Sequence, residues 1–244
     1  MNYPENFLET TSQLLNVDKT SKLDIMSYVI HYTPFKNRKD NMKEQCKQIG
    51  LKPIYVESFD RENLTNNENK MFSSNFLNQR EVSVFMKHLT ALKHAYKNGY
   101  ERVLVMEDDC LFGDAFSRCL DLYQGQLPKN WDMLYVGDAF GFRISNDEIT
   151  KQIDALGHHT NVFEKCKHPT NKQGGGCSKT ADAIIYSRNC IEKILSELEL
   201  PDYLVHHPYD WFLSYVARSY NMNVYWCEPS LVKHGSQSNY FNDI

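Results

Sequence analysis

The sequence predicts an α/β domain, a mostly parallel central sheet covered by helices. Three observations predict it. The apolar, β-rich run IMSYVIHY is followed by helical spacing and then by a second such run, KPIYVESFD, which makes a β-α-β unit. A helix with apolar residues every three or four positions leads into the buried run RVLVM. Strand and helix signals then alternate again from ADAIIYS to NVYWCEP.

Taken in order, residues 1–24 read as a polar extension with one short helix. The first strand runs from Ile25 to Tyr32 and ends at Thr33-Pro34, which reads as an N-cap and a first-turn proline. Met42, Cys46 and Ile49 fall at helical spacing, and Gly50 suits the C-terminal cap. Residues 61–80 are polar and rich in asparagine, so a loop or short helices are expected there. Val82, Phe85, Met86, Leu89, Leu92 and Tyr96 mark an amphipathic helix that stops at Asn98-Gly99. RVLVMEDD is a buried strand running into acids, followed by a short helix over Ala115 to Tyr123 and a strand in WDMLYVGD. Residues 139–179 hold no period and carry Gly174-Gly175-Gly176, so they are expected to be a mobile or functional insertion. ADAIIYS (strand), RNCIEKILSEL (helix), HPYDWFLSYVARSY (helix) and NVYWCEP (strand) complete one domain over residues 25–244.

Composition narrows the function classes. Hydrophobic residues at 41% and charged residues at 24% are ordinary for a globular chain, which argues against disorder. A formal net charge of -4 and no dense basic stripe exclude a nucleic-acid groove. No stretch approaches the ~18 apolar residues that span a bilayer, and the first residues lack the basic start and apolar run of a secretory signal. The expectation is therefore a cytoplasmic chain without a transmembrane segment, compatible with a homo-oligomer. Seven scattered cysteines without a CxxC pair read as reduced thiols. Cys166, His168 and Cys177, with His158 or His159, match no common zinc spacing. Aromatics at 13% suit a tyrosine-rich core or a cleft that stacks rings against sugar or base.

The most informative residues are Glu107, Asp108 and Asp109. Three acids at the carboxyl end of a buried strand repel one another unless a cation or hydrogen bonds offset the charge. Ligands of open α/β sheets bind at that end of the strands. A divalent cation shared between carboxylates and a diphosphate is one solution. The plain alternative is that Asp108 or Asp109 caps the next helix.

Read as blocks, the chain resembles glycosyltransferase family 25, the lipooligosaccharide and procollagen galactosyltransferase group. YVIHYTPFKNRKDNM is similar to its opening strand and Arg-containing helix start. REVSVFMKHLTALKHAYKNGYERVLVMEDDCLF is similar to its helix, strand and acidic motif. WDMLYVGD, GCSKTADAIIYSR, HHPYDWFL and VYWCEPSLVKHGSQS follow in the family's order. The match spans residues 27–238, with 139–170 unmatched. It departs at His31-Tyr32, where the family often has Asn-Leu, and no second catalytic domain is expected in this sequence.

The resemblance implies a GT-A-like fold, a UDP-sugar donor, a divalent metal (Mn2+ or Mg2+) and inversion at the anomeric carbon. The donated sugar would be galactose or glucose, and the acceptor a hydroxyl on a glycan, a lipid-linked sugar or a protein. The acidic motif maps onto Glu107, Asp108 and Asp109 as metal ligands, with His234 in KHGSQS completing the sphere. The turn Thr33-Pro34 and Arg38 would cup the nucleotide.

On the long helix, Glu81 suits the helix dipole. His88, between Phe85 and Leu92, reads as a satisfied core histidine. Both Glu81 and His88 are donor-side candidates through the resemblance, which places Lys87-His88 at a Ser-His pair. Gly175 and Gly176, Thr180, Asp182 and Trp211 are acceptor-side candidates, Asp182 through a bond to a sugar hydroxyl and Trp211 as a stacking ring or a core residue. Asp210, in the first turn of a helix opened by Pro208, is the candidate base for the acceptor proton. Two other classes stay open: a catalytically degenerate fold acting as a binding or scaffold module, and a metal-dependent nucleotidyltransferase or phosphohydrolase. The latter would want more phosphate-binding Gly, Lys and Arg beside the acids.

Overall fold

The computed structural model describes residues 23–73, 76–139, 141–144, 160–165, 177–238 and 240–241. Strand β1 (Met26–Ile30) leads through a turn to helix α1 (Lys36–Gln48) and strand β2 (Ile54–Val56). A short helix α2 (Asn66–Asn69) precedes the long helix α3 (Gln79–Lys97), which feeds strand β3 (Arg102–Glu107). Strand β4 (Cys110–Phe112), helix α4 (Phe116–Gln126), and strands β5 (Met133–Tyr135) and β6 (Val162–Glu164) follow. Strand β7 (Ala183–Ser187), helices α5 (Arg188–Leu198) and α6 (Tyr209–Ser219), and strands β8 (Val224–Cys227) and β9 (Val232–His234) complete the order.

Seven strands form one sheet in the order β2-β1-β3-β7-β5-β8-β6, and β4 pairs with β9 in a separate ribbon. RVLVM lies inside the sheet, between β1 and β7. Alternate residues of β3 serve opposite faces. Val103 and Val105 join Phe85, Leu89 and Leu92 of α3 with Ile191 of α5 and Phe212 of α6. Leu104 and Met106 join Met42 and Cys46 of α1 with Phe116 and Leu120 of α4. Both faces are covered, which explains why RVLVM is a continuous apolar run and does not alternate.

The sheet is mixed where a mostly parallel one is expected. β1 pairs in parallel with β2 and β3, and β5 with β8. β7 runs antiparallel to both β3 and β5, and β6 antiparallel to β8. A buried apolar strand such as AIIYS reads the same in either direction. Its polarity is set by the connection, and the segment before β7 carries no signal of the helical crossover that a parallel neighbour needs. β6 lies within the stretch read as a loop; three residues are too few to show a period.

The helix after β1 begins at Lys36, with Phe35 at the cap position, so Thr33-Pro34 forms a preceding turn and not the cap itself. Gly50, at φ +77°, takes the left-handed position past the end of α1. At α3, Asn78 and Glu81 form a reciprocal capping box. Cys46, Cys110, Cys119, Cys177, Cys190 and Cys227 are buried free thiols. Most of the expected mobile insertion (140, 145–159 and 166–176) lies outside the described residues. So do Gly174, Gly175 and Gly176, nearly all of the 1–24 extension, and His158, His159, Cys166 and His168.

Candidate functional site

The site is built at the carboxyl end of β3. Glu107 is the last strand residue, and Asp108 and Asp109 form the tight turn into β4. The three carboxylates diverge. Asp108 turns toward β1: its Oδ2 accepts from the His31 ring at 2.6 Å and from the Tyr32 backbone N–H at 3.2 Å. Its Oδ1 accepts from Arg38 at 3.3 Å. Arg38 also lies 3.5 Å from Asp109 and stacks over the Phe35 ring at 4.4 Å. Asp108 is thereby fastened as a brace between two turns.

Glu107 and Asp109 face His234. Ligand atoms of these three residues lie within 4.8 Å of one another. The β4–β9 ribbon causes this, because Cys110 pairs with His234 and so sets the imidazole beside the preceding acid. Gly235 N donates to Asp109 O at 2.7 Å. A Cβ at Gly235 would sit 2.6 Å from that same oxygen, so the close approach requires glycine. Asp109 Oδ2 accepts from Ser236 at 2.5 Å and lies 3.2 Å from His234 Nδ1. Its Oδ1 is buried and accepts no hydrogen bond among the described residues.

Burial, followed by the nearby charge of Asp109, pushes the Glu107 carboxyl pKa well up. An orphaned buried carboxylate oxygen, a second carboxylate and an imidazole form a donor set that suits Mn2+ or Mg2+.

Two clefts meet at Glu107. The larger, of about 600 Å³, is lined by Tyr32, Phe35, Arg38 and Arg61 on the β1 side and by His234 and Ser236 on the other. The smaller, of about 340 Å³, is lined by Glu81, Thr180, Pro208 and Asp210. Arg80, Val84 and Glu107 line both.

Burial raises the Asp210 carboxyl pKa, and the backbone N–H groups of the first turn of α6 pull it back in part. Trp211, one residue on, is 58% exposed and is not a core ring.

Several expected site residues have other partners. Thr33 donates its hydroxyl to Asp60, and its Pro34 neighbour shapes the turn. Glu81 accepts from the Asn78 backbone N–H at 2.9 Å while its residue lines the smaller cleft. Asp182 is fully buried, taking Thr180 Oγ1 at 2.7 Å and the Ala139 N–H at 3.2 Å, so it is a scaffold carboxylate and not one offered to a sugar. Its backbone carbonyl in turn accepts from Glu107 N at 2.8 Å. A Cβ at Gly137 would meet the Asp182 carboxylate at 2.2 Å, so only glycine fits there. His88 is buried as expected, yet neither ring nitrogen makes a hydrogen bond among the described residues.

Other residues come into view only in three dimensions. Lys87 is buried on α3 and donates to His31 O and to Asp60 Oδ1, each at 2.7 Å. Asp138 Oδ1 accepts from the His234 backbone N–H at 3.2 Å. Arg80 makes no ion pair among the described residues. A lysine embedded in the apolar stripe of α3 is the one sequence signal that points to Lys87; Asp60, Asp138 and Arg80 carry none.

A family model described as Glycosyltransferase family 25 (LPS biosynthesis protein) matches residues 25–189. That range contains the acidic turn and ends before Asp210 and His234. Over 127 residues the chain is 26% identical to procollagen galactosyltransferase 2 of Mus musculus. The alignment covers 45% of this chain and 20% of that protein, so the chain spans about a fifth of the length of this curated relative. Among solved structures it resembles the apo form of mouse xyloside xylosyltransferase 1, at 10% identity and a TM-score of 0.43, over 95% of this chain and 93% of the other. No helix among the described residues is long and apolar enough to cross a membrane.

Proposed function

The chain belongs to glycosyltransferase family 25, and from that premise we propose that it moves a hexose, galactose or glucose, from a UDP-sugar to an acceptor hydroxyl with inversion. Family membership makes it a GT-A-like transferase that takes a sugar donor and an acceptor. The choice of hexose, the uridine nucleotide, the metal and the stereochemistry are our reading. Galactose comes first because the mouse relative is named a galactosyltransferase. Its length beyond the shared fifth leaves the acceptor open among glycan, lipid-linked sugar and protein hydroxyl.

The observation that carries this reading is the meeting of two clefts at Glu107, beside Asp109 and His234. The larger cleft has the size and the cationic, aromatic lining to suit a nucleoside diphosphate. Glu107, Asp109 and His234 would hold Mn2+ or Mg2+, which supplies positive charge against the leaving diphosphate. Arg80, which makes no ion pair among the described residues, lines the same space and adds to that charge. Asp108 takes no part as a ligand in this reading; it keeps Arg38 and the β1 turn in place.

The acceptor enters by the smaller cleft. Asp210 takes the proton of its hydroxyl as the oxygen attacks the anomeric carbon. The new C–O bond forms on the face opposite the departing phosphate, and the electron pair of the broken bond leaves with UDP. Two clefts on either side of one carboxylate suit such a single displacement. Burial of Asp210 makes its carboxylate a stronger base than an exposed aspartate.

A panel of nucleotide sugars, incubated with the protein and Mn2+ and assayed for released nucleotide, tests the proposal. UDP-galactose or UDP-glucose should be hydrolysed slowly without acceptor, and GDP- and CMP-sugars should not. Release from a GDP- or CMP-sugar alone, or from none of the panel, would refute the donor assignment.

A further inference from the structure

The imidazole of His88 is completely buried, and among the described residues it is the only side chain with two buried polar atoms that both lack a hydrogen bond. Buried polar groups of this kind are rare because their lost hydration goes uncompensated. The ring is nevertheless held firmly. It stacks on Tyr209 with centroids 4.2 Å apart and planes 15° from parallel. Tyr209 is itself fixed by a 3.2 Å bond between its hydroxyl and that of Tyr186. Stacking occupies the face of the imidazole and leaves its edge to meet a partner. That edge points to the site, with Nε2 3.7 Å from Glu107 Oε1, just beyond hydrogen-bond length. Burial pushes the imidazole pKa down to about 3, so the approach is that of a neutral ring with one N–H and not an ion pair.

We propose that His88 is a positioning residue for Glu107: its Nε2–H donates to the Glu107 carboxylate when that group turns to hold a divalent cation. The proposal rests on the metal reading given above. A small rotation of Glu107 closes the 3.7 Å gap and gives Nε2 and the carboxylate each a partner. Because Tyr209 precedes Asp210 in α6, the same stack couples the orientation of Glu107 to the turn that carries the candidate base. His88 lines neither cleft itself and lies behind Glu107 and Tyr209, which do, so its effect passes through Glu107 and not through the donor.

The test compares the whole chain with His88→Phe, which keeps a stacking ring without a donor, and His88→Gln, which keeps an N–H. Mn2+ binding is read by electron paramagnetic resonance of the free ion, with no sugar nucleotide present. Thermal melting without metal is read alongside. His88→Phe should bind Mn2+ about tenfold more weakly, the usual scale for losing a partner of a ligating group. Its metal-free melting point should equal or exceed that of the parent, since an unsatisfied polar group is gone. His88→Gln should recover part of the affinity. If His88→Phe misfolds, His88→Met replaces it as the variant without a donor. Equal Mn2+ affinity in the parent and in a folded variant lacking the donor overturns the role of His88 and leaves the metal site standing. Absence of Mn2+ binding by the parent overturns both.

Discussion

The His31 ring sits 2.6 Å from Asp108 Oδ2 and so ties the end of β1 to the turn after β3. Asp108 is therefore a structural acid within a run of three. Replacing it with alanine strands buried His31 and takes from Arg38 one of its carboxylate partners, leaving Asp109 at 3.5 Å. Breaking a buried, hydrogen-bonded charge pair from one side costs about 3 kcal/mol or more. Asp108→Ala should lower the melting temperature by several degrees more than Asp109→Ala, measured without metal by differential scanning calorimetry. The reverse order would show that Asp108 is not the brace.

Gly137 and Gly125 make a matched pair. A methyl at Gly137 collides with the Asp182 carboxylate at 2.2 Å, whereas at Gly125, in α4, nothing lies within 4 Å. Gly137→Ala should destabilise by about 1–3 kcal/mol through overpacking. Gly125→Ala should stabilise by about 0.5–1 kcal/mol through helix propensity. Urea unfolding of the two variants checks this, and a Gly137→Ala protein as stable as the parent contradicts the tight fit.

Asp210 sets a pH dependence. The base must be ionised to accept a proton, and burial raises its pKa above the ordinary aspartate value. Transfer activity should therefore fall on acidification at a higher pH than an exposed aspartate would give. Asp210→Asn should lower kcat by about 10²-fold or more and remove that acid limb, with little change in the KM for the donor. An unaltered profile in Asp210→Asn would assign the base elsewhere.

How much of this could be read from residues differs by element. The period of α3 and the apolar run of β3 gave their places directly, because burial on one face or on both leaves a distinct pattern. Glu107, Asp109 and His234 were legible as candidate ligands through the order of motifs. The divergence of Asp108 was not, since the direction of each acid in a tight turn depends on partners such as His31, 77 positions away. Thr33, read as a cap, binds Asp60 for the same reason: its partner lies 27 positions on, in a polar segment without period. The orientation of β7 escaped because apolar strands do not encode direction. The satisfied core histidine expected at His88 is buried without hydrogen bonds among the described residues, a distinction that spacing along a helix cannot make.

The most direct test of the whole account is nucleotide release from UDP-galactose and UDP-glucose by the parent chain and by Asp109→Ala, each with Mn2+ and with excess chelator. Asp109 Oδ1 is the buried carboxylate oxygen beside Glu107 and His234 that accepts no hydrogen bond among the described residues. Removing it should abolish turnover while the circular dichroism and melting of the protein stay close to those of the parent. The expected result is release only by the parent with Mn2+. Undiminished release in chelator, or by a folded Asp109→Ala protein, would contradict the metal-centred mechanism.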